Sequence, residues 1–147
     1  MIEQDAKPSV RLSHRTITLA VRPGSNAAKR GELIHEWQKT LLHGLVPALI
    51  RKWEPRLGVK VAGYFLQRMK TKWGSCNHRA RNIRLNTELV KKPKDLVEYV
   101  VVHEMAHLIE PTHGERFTAL LDKHYPSWRE ARAELNELPL SAEKWSE

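Results

Sequence analysis

The chain of 147 residues is 41% hydrophobic, which is enough apolar content for one domain with a buried core. Its single cysteine excludes an internal disulfide and favours a cytoplasmic location. No apolar run approaches the length of a membrane span, and residues 1–8 lack the apolar stretch of a secretory signal. We therefore expect a single cytoplasmic domain over residues 1–147, with loosely ordered tails at 1–8 and 141–147 and no association with a membrane.

The N-terminal part of the chain predicts two strands and a long helix. Apolar and polar residues alternate over residues 10–12 and 16–22, as they do in half-buried strands. Apolar side chains then recur at helical spacing over residues 33–53. Gly44 and Pro47 lie inside this pattern and are expected to kink or divide the helix.

The middle of the chain predicts a hairpin. Residues 59–66 and 83–85 have the composition of strands, and the polar residues 77–81 between them favour a turn. This hairpin is expected to pack against the helix that follows it. Trp73 is then expected in the core or on the wall of a cleft, and Cys76 is expected to be a buried, inert thiol.

The next predicted helix carries the sequence H-E-x-x-H. Positions i and i+4 lie one turn apart on one helix face, so His103 and His107 can offer two imidazole nitrogens to a single Zn²⁺. Glu104, beside them, is placed to act on a water molecule that the metal activates. Three valines precede the motif and have poor helix propensity, so this helix is expected to be buried and held by packing.

A break in the helix supplies a third histidine. Pro111 disfavours helical geometry at Glu110 and is expected to end the helix there. Thr112 and Glu115 have the spacing of a capping box, which places His113 in the first turn of a new helix. Such a break is a reasonable way to bring His113 back toward the first two histidines, and three protein ligands are typical of catalytic zinc.

Other ligand sets stay open at this point. Glu130 or Glu134, on a last helix predicted over residues 127–138, is an alternative third ligand to His113. Cys76 is an alternative fourth ligand, which would close the coordination sphere and make the site structural. The motif also occurs by chance on helix surfaces, without any metal.

Four stretches of the chain together carry a family resemblance. They are Lys72-Trp73-Gly74-Ser75-Cys76-Asn77, Asn82-Ile83-Arg84-Leu85-Asn86, residues 99–108 around the histidine motif, and His113-Gly114-Glu115-Arg116-Phe117. In these stretches the chain resembles the YgjP-like group of small zinc metallopeptidases. That group is similar in core to the SprT-like and WLM proteases, whose third histidine is likewise followed by an aromatic residue, here Phe117.

The resemblance implies a fold, a site and a reaction. The fold is α+β and zincin-like, with a small antiparallel or mixed sheet packed against the helix of the motif and further helices at both ends. The site is a Zn²⁺ ion on His103, His107 and His113, with Glu104 as the general base. The reaction is hydrolysis of a peptide or protein substrate. Metzincins fit less well, because they carry glycine where this chain has Glu110 and require a methionine downstream.

Hydrolysis of an amide also requires a donor to the carbonyl oxygen, opposite the metal. The sequence does not single out this donor. Its candidates are Tyr99, Arg116, His124 and Tyr125, and each of them is also consistent with ordinary packing or with a solvated surface.

Charge is unevenly distributed and supports a second class of function. Residues 1–75 hold 14 of the 25 Lys and Arg residues but only 5 of the 17 Asp and Glu residues, and the net charge of the chain is +8. This basic N-terminal half is compatible with contacts to the phosphates of DNA. Its aromatic residues Trp53, Tyr64 and Trp73 are compatible with base stacking. The alternative is therefore a basic DNA-associated zinc protein, either a DNA-stimulated protease or a non-catalytic nucleic-acid-binding module. A solvated basic face is the simpler interpretation.

Overall fold

The computed structural model describes residues 2–3, 9–13, 16–21 and 27–137, the first three ranges as backbone alone. The chain divides into two compact units, residues 1–41 and 42–147, and each is described by itself. The domain boundaries expected from the sequence stay a prediction. Most of the expected loose tails, at 1–8 and 141–147, lies outside the described residues. Within these tails, Ile2–Glu3 is described and forms a short strand.

The first unit contains a sheet of three strands. They are β1 (Ile2–Glu3), β2 (Ser9–Ser13) and β3 (Thr16–Val21). The order is β1-β3-β2, and β3 pairs parallel with β1 and antiparallel with β2. The strands predicted at 10–12 and 16–22 are confirmed by β2 and β3, although residue 22 lies outside the described residues.

A single helix, α1 (Ala27–Leu57), begins in the first unit and ends in the second. The predicted helix is confirmed, but its division at Gly44 or Pro47 is wrong, because α1 continues through both residues and through Pro55. An interior proline costs a helix about 3 kcal/mol, through a lost hydrogen bond and a steric clash. Burial of the apolar face offsets this cost. The buried side chains on that face are Leu42, Val46, Leu49, Ile50, Trp53 and Leu57.

The second unit contains a mixed sheet made of β4 (Gly63–Gln67), β5 (Gly74–Asn77) and β6 (Asn82–Asn86). Its order is β4-β6-β5, with β6 parallel to β4 and antiparallel to β5. The hairpin predicted between residues 59–66 and 83–85 is therefore wrong. The hairpin is formed by β5 and β6, whose turn is closed by Asn77 Oδ1 accepting from the Ala80 N–H at 3.1 Å and by a left-handed Arg81 (φ 59°).

Three helices complete the second unit: α2 (Lys94–Ala106), α3 (Glu115–His124) and α4 (Trp128–Glu137). A short 3₁₀ helix, Thr87–Lys91, joins β6 to α2. Helix α2 packs against β5, β6, α3 and α4, and ten of its thirteen residues are buried. The expectation that packing holds this valine-rich helix is confirmed, since Val100, Val101 and Val102 are all 0% exposed. Among the described residues, no helix combines the length and the apolar character needed to cross a membrane.

Candidate metal centre

Two of the predicted ligands lie on the buried face of α2. His103 is 1% exposed and His107 is 7% exposed, and their ring centroids are 5.0 Å apart, as the i, i+4 spacing predicts. The pKa of His103 lies well below its usual value, first because the ring is buried and then because His107 and His113 are close. His103 is therefore neutral at physiological pH, which is the form that binds a metal.

The chain turns sharply between the second and third histidines. Helix α2 ends at Ala106, four residues before the predicted end at Glu110. The last turn is tightened by two i→i−3 hydrogen bonds, from the Leu108 N–H to the Met105 carbonyl and from the Ile109 N–H to the Ala106 carbonyl, at 3.0 Å each. His107 keeps right-handed helical geometry at the C-cap, so its ring stays on the face that carries His103.

His113 lies just outside the third helix rather than in its first turn. The N-cap of α3 is Gly114, without a side-chain cap hydrogen bond, so the capping box predicted for Thr112 and Glu115 is wrong. The Gly114 carbonyl instead accepts from the N–H groups of Phe117 and Thr118, at 3.1 Å and 3.2 Å. This local geometry still brings His113 to the other two histidines, with ring centroids 5.4 Å from His103 and 4.3 Å from His107.

The three histidines form a cluster that fits a metal ion. Each offers one ring nitrogen, and these three atoms lie within 4.8 Å of one another. Glu130 and Glu134, the alternative third ligands, are exposed on α4 and do not belong to the cluster. Cys76 does not belong to it either. A set of three imidazoles matches the ligand number and type of catalytic zinc sites.

Hydrogen bonds at Nδ1 orient both buried rings. Nδ1 of His103 is 3.3 Å from the hydroxyl oxygen of Tyr99, one turn earlier on α2. Nδ1 of His107 is 3.0 Å from the carbonyl oxygen of Glu110. Metal-binding histidines commonly donate the N–H of the second ring nitrogen in this way, which fixes the tautomer and leaves Nε2 for the metal.

Phe117 closes the apolar side of the cluster. Its ring is 3% exposed, stacks on His107 at 4.4 Å between centroids with an interplanar angle of 16°, and meets His103 edge-on at 4.9 Å. It also meets His113 edge-on at 5.1 Å. The aromatic residue singled out in the sequence therefore packs against all three rings, which restricts their rotation.

Glu104 is 2% exposed and lies beside Gly74 of β5. A Cβ atom added to Gly74 would lie 2.9 Å from Cγ and from Oε2 of Glu104, and 3.0 Å from Cγ1 of Val100. Only glycine leaves enough space at this position for the carboxylate. The glycine of the Trp-Gly pair thus has a steric role in positioning Glu104, which was not recognised from the sequence.

A cavity of about 250 Å³ opens over this cluster. One wall is formed by α2 and the segment after it, and the other by β5 and its flanks. Its lining residues are Lys72, Gly74, Ser75, Cys76, His78, His103, Glu104, His107, Pro111 and His113. The cavity therefore contains all four residues predicted to carry the chemistry.

Trp73 and Cys76 lie on either side of Gly74 and Ser75 and have different environments. Trp73 is 3% exposed and belongs to the core, one of the two locations expected for it. Cys76 is only half-buried, in the cavity wall, so its expected full burial is wrong. Burial together with the nearby Glu104 raises the pKa of its thiol to about 11. The thiol is therefore protonated at neutral pH, which supports its expected inertness.

The four candidate donors to the carbonyl oxygen do not line the cavity. Tyr99 is buried, and its hydroxyl is hydrogen-bonded to His103. The hydroxyl of Tyr125 donates a hydrogen bond to the Asp95 carbonyl at 3.2 Å. Apart from the three histidines and Glu104, the polar side chains that line the cavity belong to Lys72, Ser75, Cys76 and His78. The sequence pattern does not indicate this arrangement, because it depends on the pairing of β5 with β6.

The structure corrects one part of the nucleic-acid alternative. Trp53 and Trp73 are 4% and 3% exposed, so neither is available to stack on a base. The charge of the basic residues is unaffected by this, and their contact with DNA phosphates stays a prediction. No comparison with known proteins supports DNA binding.

A mixed sheet packed against a helix with H-E-x-x-H, and a third histidine brought back by a turn, define a zincin-like metallopeptidase. Comparison with known protein families agrees, since the YgjP-like metallopeptidase domain matches residues 1–138. The chain therefore belongs to the YgjP-like metallopeptidase family. Family membership makes it a metal-dependent hydrolase of peptide bonds in peptides or proteins.

Solved structures support the same fold. The metallopeptidase zymogen abylysin of Pyrococcus abyssi is 20% identical, with a TM-score of 0.58 over 63% of this chain and 92% of that chain. The metallopeptidase zymogen jannalysin of Methanocaldococcus jannaschii is 19% identical, with a TM-score of 0.53 over 63% of this chain and 94% of that chain. The expected α+β, zincin-like fold is thereby confirmed. None of the curated proteins compared matches the chain.

Proposed function

We propose that the chain is a zinc-dependent peptidase in which His103, His107 and His113 bind Zn²⁺ and Glu104 is the general base. The observation that carries this proposal is the approach of three imidazole nitrogens to within 4.8 Å of one another in the wall of an open cavity. The neutral state of His103 and the Nδ1 hydrogen bonds of His103 and His107 suit metal binding through Nε2.

When bound, zinc lowers the pKa of a water molecule toward roughly 7 and polarises the substrate carbonyl. The carboxylate of Glu104 would accept a proton from the attacking water and donate it to the nitrogen of the leaving amine. Its position beside Gly74, at the same cavity wall as the histidines, suits both transfers. Burial of Glu104 keeps bulk water from competing for its carboxylate.

We further propose that the substrate binds in an extended conformation along β5. Among the described strands, β5 is at the edge of its sheet, since it pairs only with β6 in the order β4-β6-β5. Gly74, Ser75 and Cys76 of β5 line the cavity. An edge strand offers unpaired backbone groups to a peptide, and backbone pairing holds a peptide of any sequence in register with the site.

The variant Glu104→Gln tests this function. It is expected to fold and to bind zinc as the wild type does, because no metal ligand changes. Its rate of peptide hydrolysis is expected to fall by roughly 10²–10⁴-fold, the usual contribution of a general base. The measurement is cleavage of a complex peptide mixture by the zinc-loaded protein, followed by mass spectrometry.

The matched control is Glu134→Gln, which removes an exposed carboxylate on α4. It is expected to leave both zinc content and hydrolysis unchanged. Hydrolysis by Glu104→Gln at the wild-type rate would remove Glu104 from the mechanism. A loss of zinc from Glu134→Gln would instead favour a carboxylate as the third ligand.

A further inference from the structure

The cavity over the histidine cluster has an uneven charge. Among the described residues that line it, Glu104 is the only carboxylate, and it is the group to which the proposed function assigns proton transfer. Lys72 and His78 line the same cavity, and both are exposed. Arg81 is close enough to act electrostatically on Cys76 in the cavity wall. A bound divalent cation would add to this positive field.

Lys72 and His78 flank the edge strand β5 at opposite ends. Lys72 lies two residues before Gly74, and its backbone carbonyl accepts from Asn86 Nδ2 at 2.7 Å. The same amide donates to the Met69 carbonyl at 2.8 Å, so the buried Asn86 holds the segment that leads into the strand. His78 follows Asn77 directly and begins the turn that Asn77 closes.

We propose that Lys72 and His78 select substrates with acidic side chains on either side of the scissile bond. This inference rests on the proposed function, since it assigns a substrate class to the same site. The ammonium group of Lys72 pairs with a carboxylate on one side of the bond, and the ring N–H of His78 donates to a carboxylate on the other side.

The two positions are distinguishable because they lie at opposite ends of one strand. A peptide paired antiparallel to β5 runs from the His78 end to the Lys72 end. Lys72 then contacts side chains on the C-terminal side of the scissile bond, and His78 contacts side chains on the N-terminal side. An exposed ion pair contributes about 1 kcal/mol, which corresponds to a preference of roughly fivefold for Glu over Gln at the position facing Lys72.

The experiment has a cleavage arm and a binding arm. In the first, the zinc-loaded full chain digests a proteome-derived peptide library, and mass spectrometry gives the residue preference on each side of the cleaved bond. In the second, zinc-loaded Glu104→Gln binds a short fluorescein-labelled peptide of alternating Ala and Glu, or its Ala and Gln counterpart, with anisotropy as the readout. Wild-type cleavage is expected to favour Asp and Glu on both sides. Binding is expected to favour the Glu peptide at least about fivefold, which is the contribution of Lys72 alone.

Variants assign the preference to its residues. Lys72→Glu is expected to abolish the acidic preference on the C-terminal side only and to favour Lys and Arg there, whereas Lys72→Arg is expected to retain it. His78→Ala is expected to reduce the preference on the N-terminal side only. The matched control Lys123→Glu changes the net charge equally, at an exposed position of α3 outside the cavity, and is expected to leave both preferences unchanged.

The outcomes separate this inference from the proposed function. Cleavage without acidic preference, or a preference that Lys72→Glu and His78→Ala leave unchanged, overturns the inference alone. Charge-dependent binding that Lys72→Glu removes, without any cleavage by the wild type, overturns the proposed function and supports only the selection of acidic peptides by Lys72. Absence of both cleavage and charge-dependent binding overturns both.

Discussion

Gly74 is the residue on which the position of Glu104 most directly depends. In Gly74→Ala, the added methyl group would meet Cγ and Oε2 of Glu104 at 2.9 Å and Cγ1 of Val100 at 3.0 Å. The carboxylate must therefore move. We expect hydrolysis to fall about 100-fold, as it does for catalytic groups displaced by about 1 Å, and the free energy of unfolding to fall by about 1–3 kcal/mol.

Peptide hydrolysis and denaturant unfolding measure these two effects. Zinc content is expected to stay at the wild-type level, because no ligand changes. Gly63→Ala is the matched control, since it makes the same change in β4 of the same sheet, where nothing lies within 4 Å of the added Cβ. Equal activities of the two alanine variants would show that Gly74 does not position Glu104.

We expect Tyr99 to support the proposed metal site through His103. With a metal on Nε2 of His103, the Nδ1–H would donate to the hydroxyl oxygen of Tyr99, 3.3 Å from Nδ1. Tyr99→Phe removes this acceptor from a fully buried position and keeps the ring. Because such supporting hydrogen bonds typically change metal affinity by 10–100-fold, we expect zinc to bind about 10-fold more weakly.

Competition with a chromophoric chelator measures that affinity. Tyr125→Phe is the control, because Tyr125 contacts Tyr99 within the same aromatic group, at 6.0 Å between ring centroids, and its hydroxyl donates to the Asp95 carbonyl instead. It is expected to bind zinc as the wild type does. The supporting role of Tyr99 would be excluded if the two phenylalanine variants had the same zinc affinity.

At the scale of elements, a carboxylate links α2 to the C-terminal part of α1. Oε2 of Glu98 accepts from Lys52 Nζ at 2.6 Å and from Trp53 Nε1 at 2.8 Å. Burial raises the pKa of Glu98, but the hydrogen bonds from Lys52 and Trp53 and the charge of Lys52 outweigh it, so the pKa lies below its ordinary value of 4.5. The carboxylate therefore stabilises the folded state above pH 4.5, and this contribution is lost as the pH falls through the lowered pKa.

We expect Glu98→Gln to reduce the free energy of unfolding at pH 7 by about 1 kcal/mol, since the amide keeps an acceptor for Trp53 but loses the ion pair. The difference from the wild type is expected to shrink below pH 4.5. Urea denaturation at several pH values measures this difference. Glu36→Gln is the control, because Glu36 is exposed and forms an i, i+3 ion pair with Lys39. A difference that persisted unchanged at low pH would contradict this role of the Glu98 charge.

The elements that the sequence predicted well are those with local signals. The periodicity of α1 and the i, i+4 spacing of His103 and His107 depend on neighbours along the chain, and both are confirmed. The strand β5 has no such signal, because Gly-Ser-Cys-Asn lacks both alternation and β-branched residues. Its pairing with β6 is decided by tertiary contacts, and the predicted hairpin was wrong for that reason.

The site was predictable to a similar extent. The spacing of the motif predicted which histidines approach one another, and the turn after Ala106 brings His113 to them even though the predicted capping box is wrong. The cavity wall formed by β5 was not predictable. The roles proposed for Lys72, Gly74 and His78 depend on the position of β5 beside α2.

At the scale of the whole molecule, the family match spans both compact units, whereas each of the two solved neighbours covers 63% of the chain. The basic excess and the histidine motif lie in different halves of the sequence. The candidate metal centre lies entirely within the second unit, between α2, β5 and the N-terminus of α3. One chain is therefore expected to bind one metal ion through its three clustered histidines.

The most direct test is the zinc content of the purified chain by elemental analysis, after zinc has been supplied and the excess removed. We expect about one Zn²⁺ per chain in the wild type. His113→Ala is expected to lose the metal or bind it much more weakly, whereas His124→Asn, at the end of α3 and outside the cluster, is expected to retain it. A folded wild type without zinc, or a His113→Ala variant with undiminished zinc, would contradict the three-histidine centre.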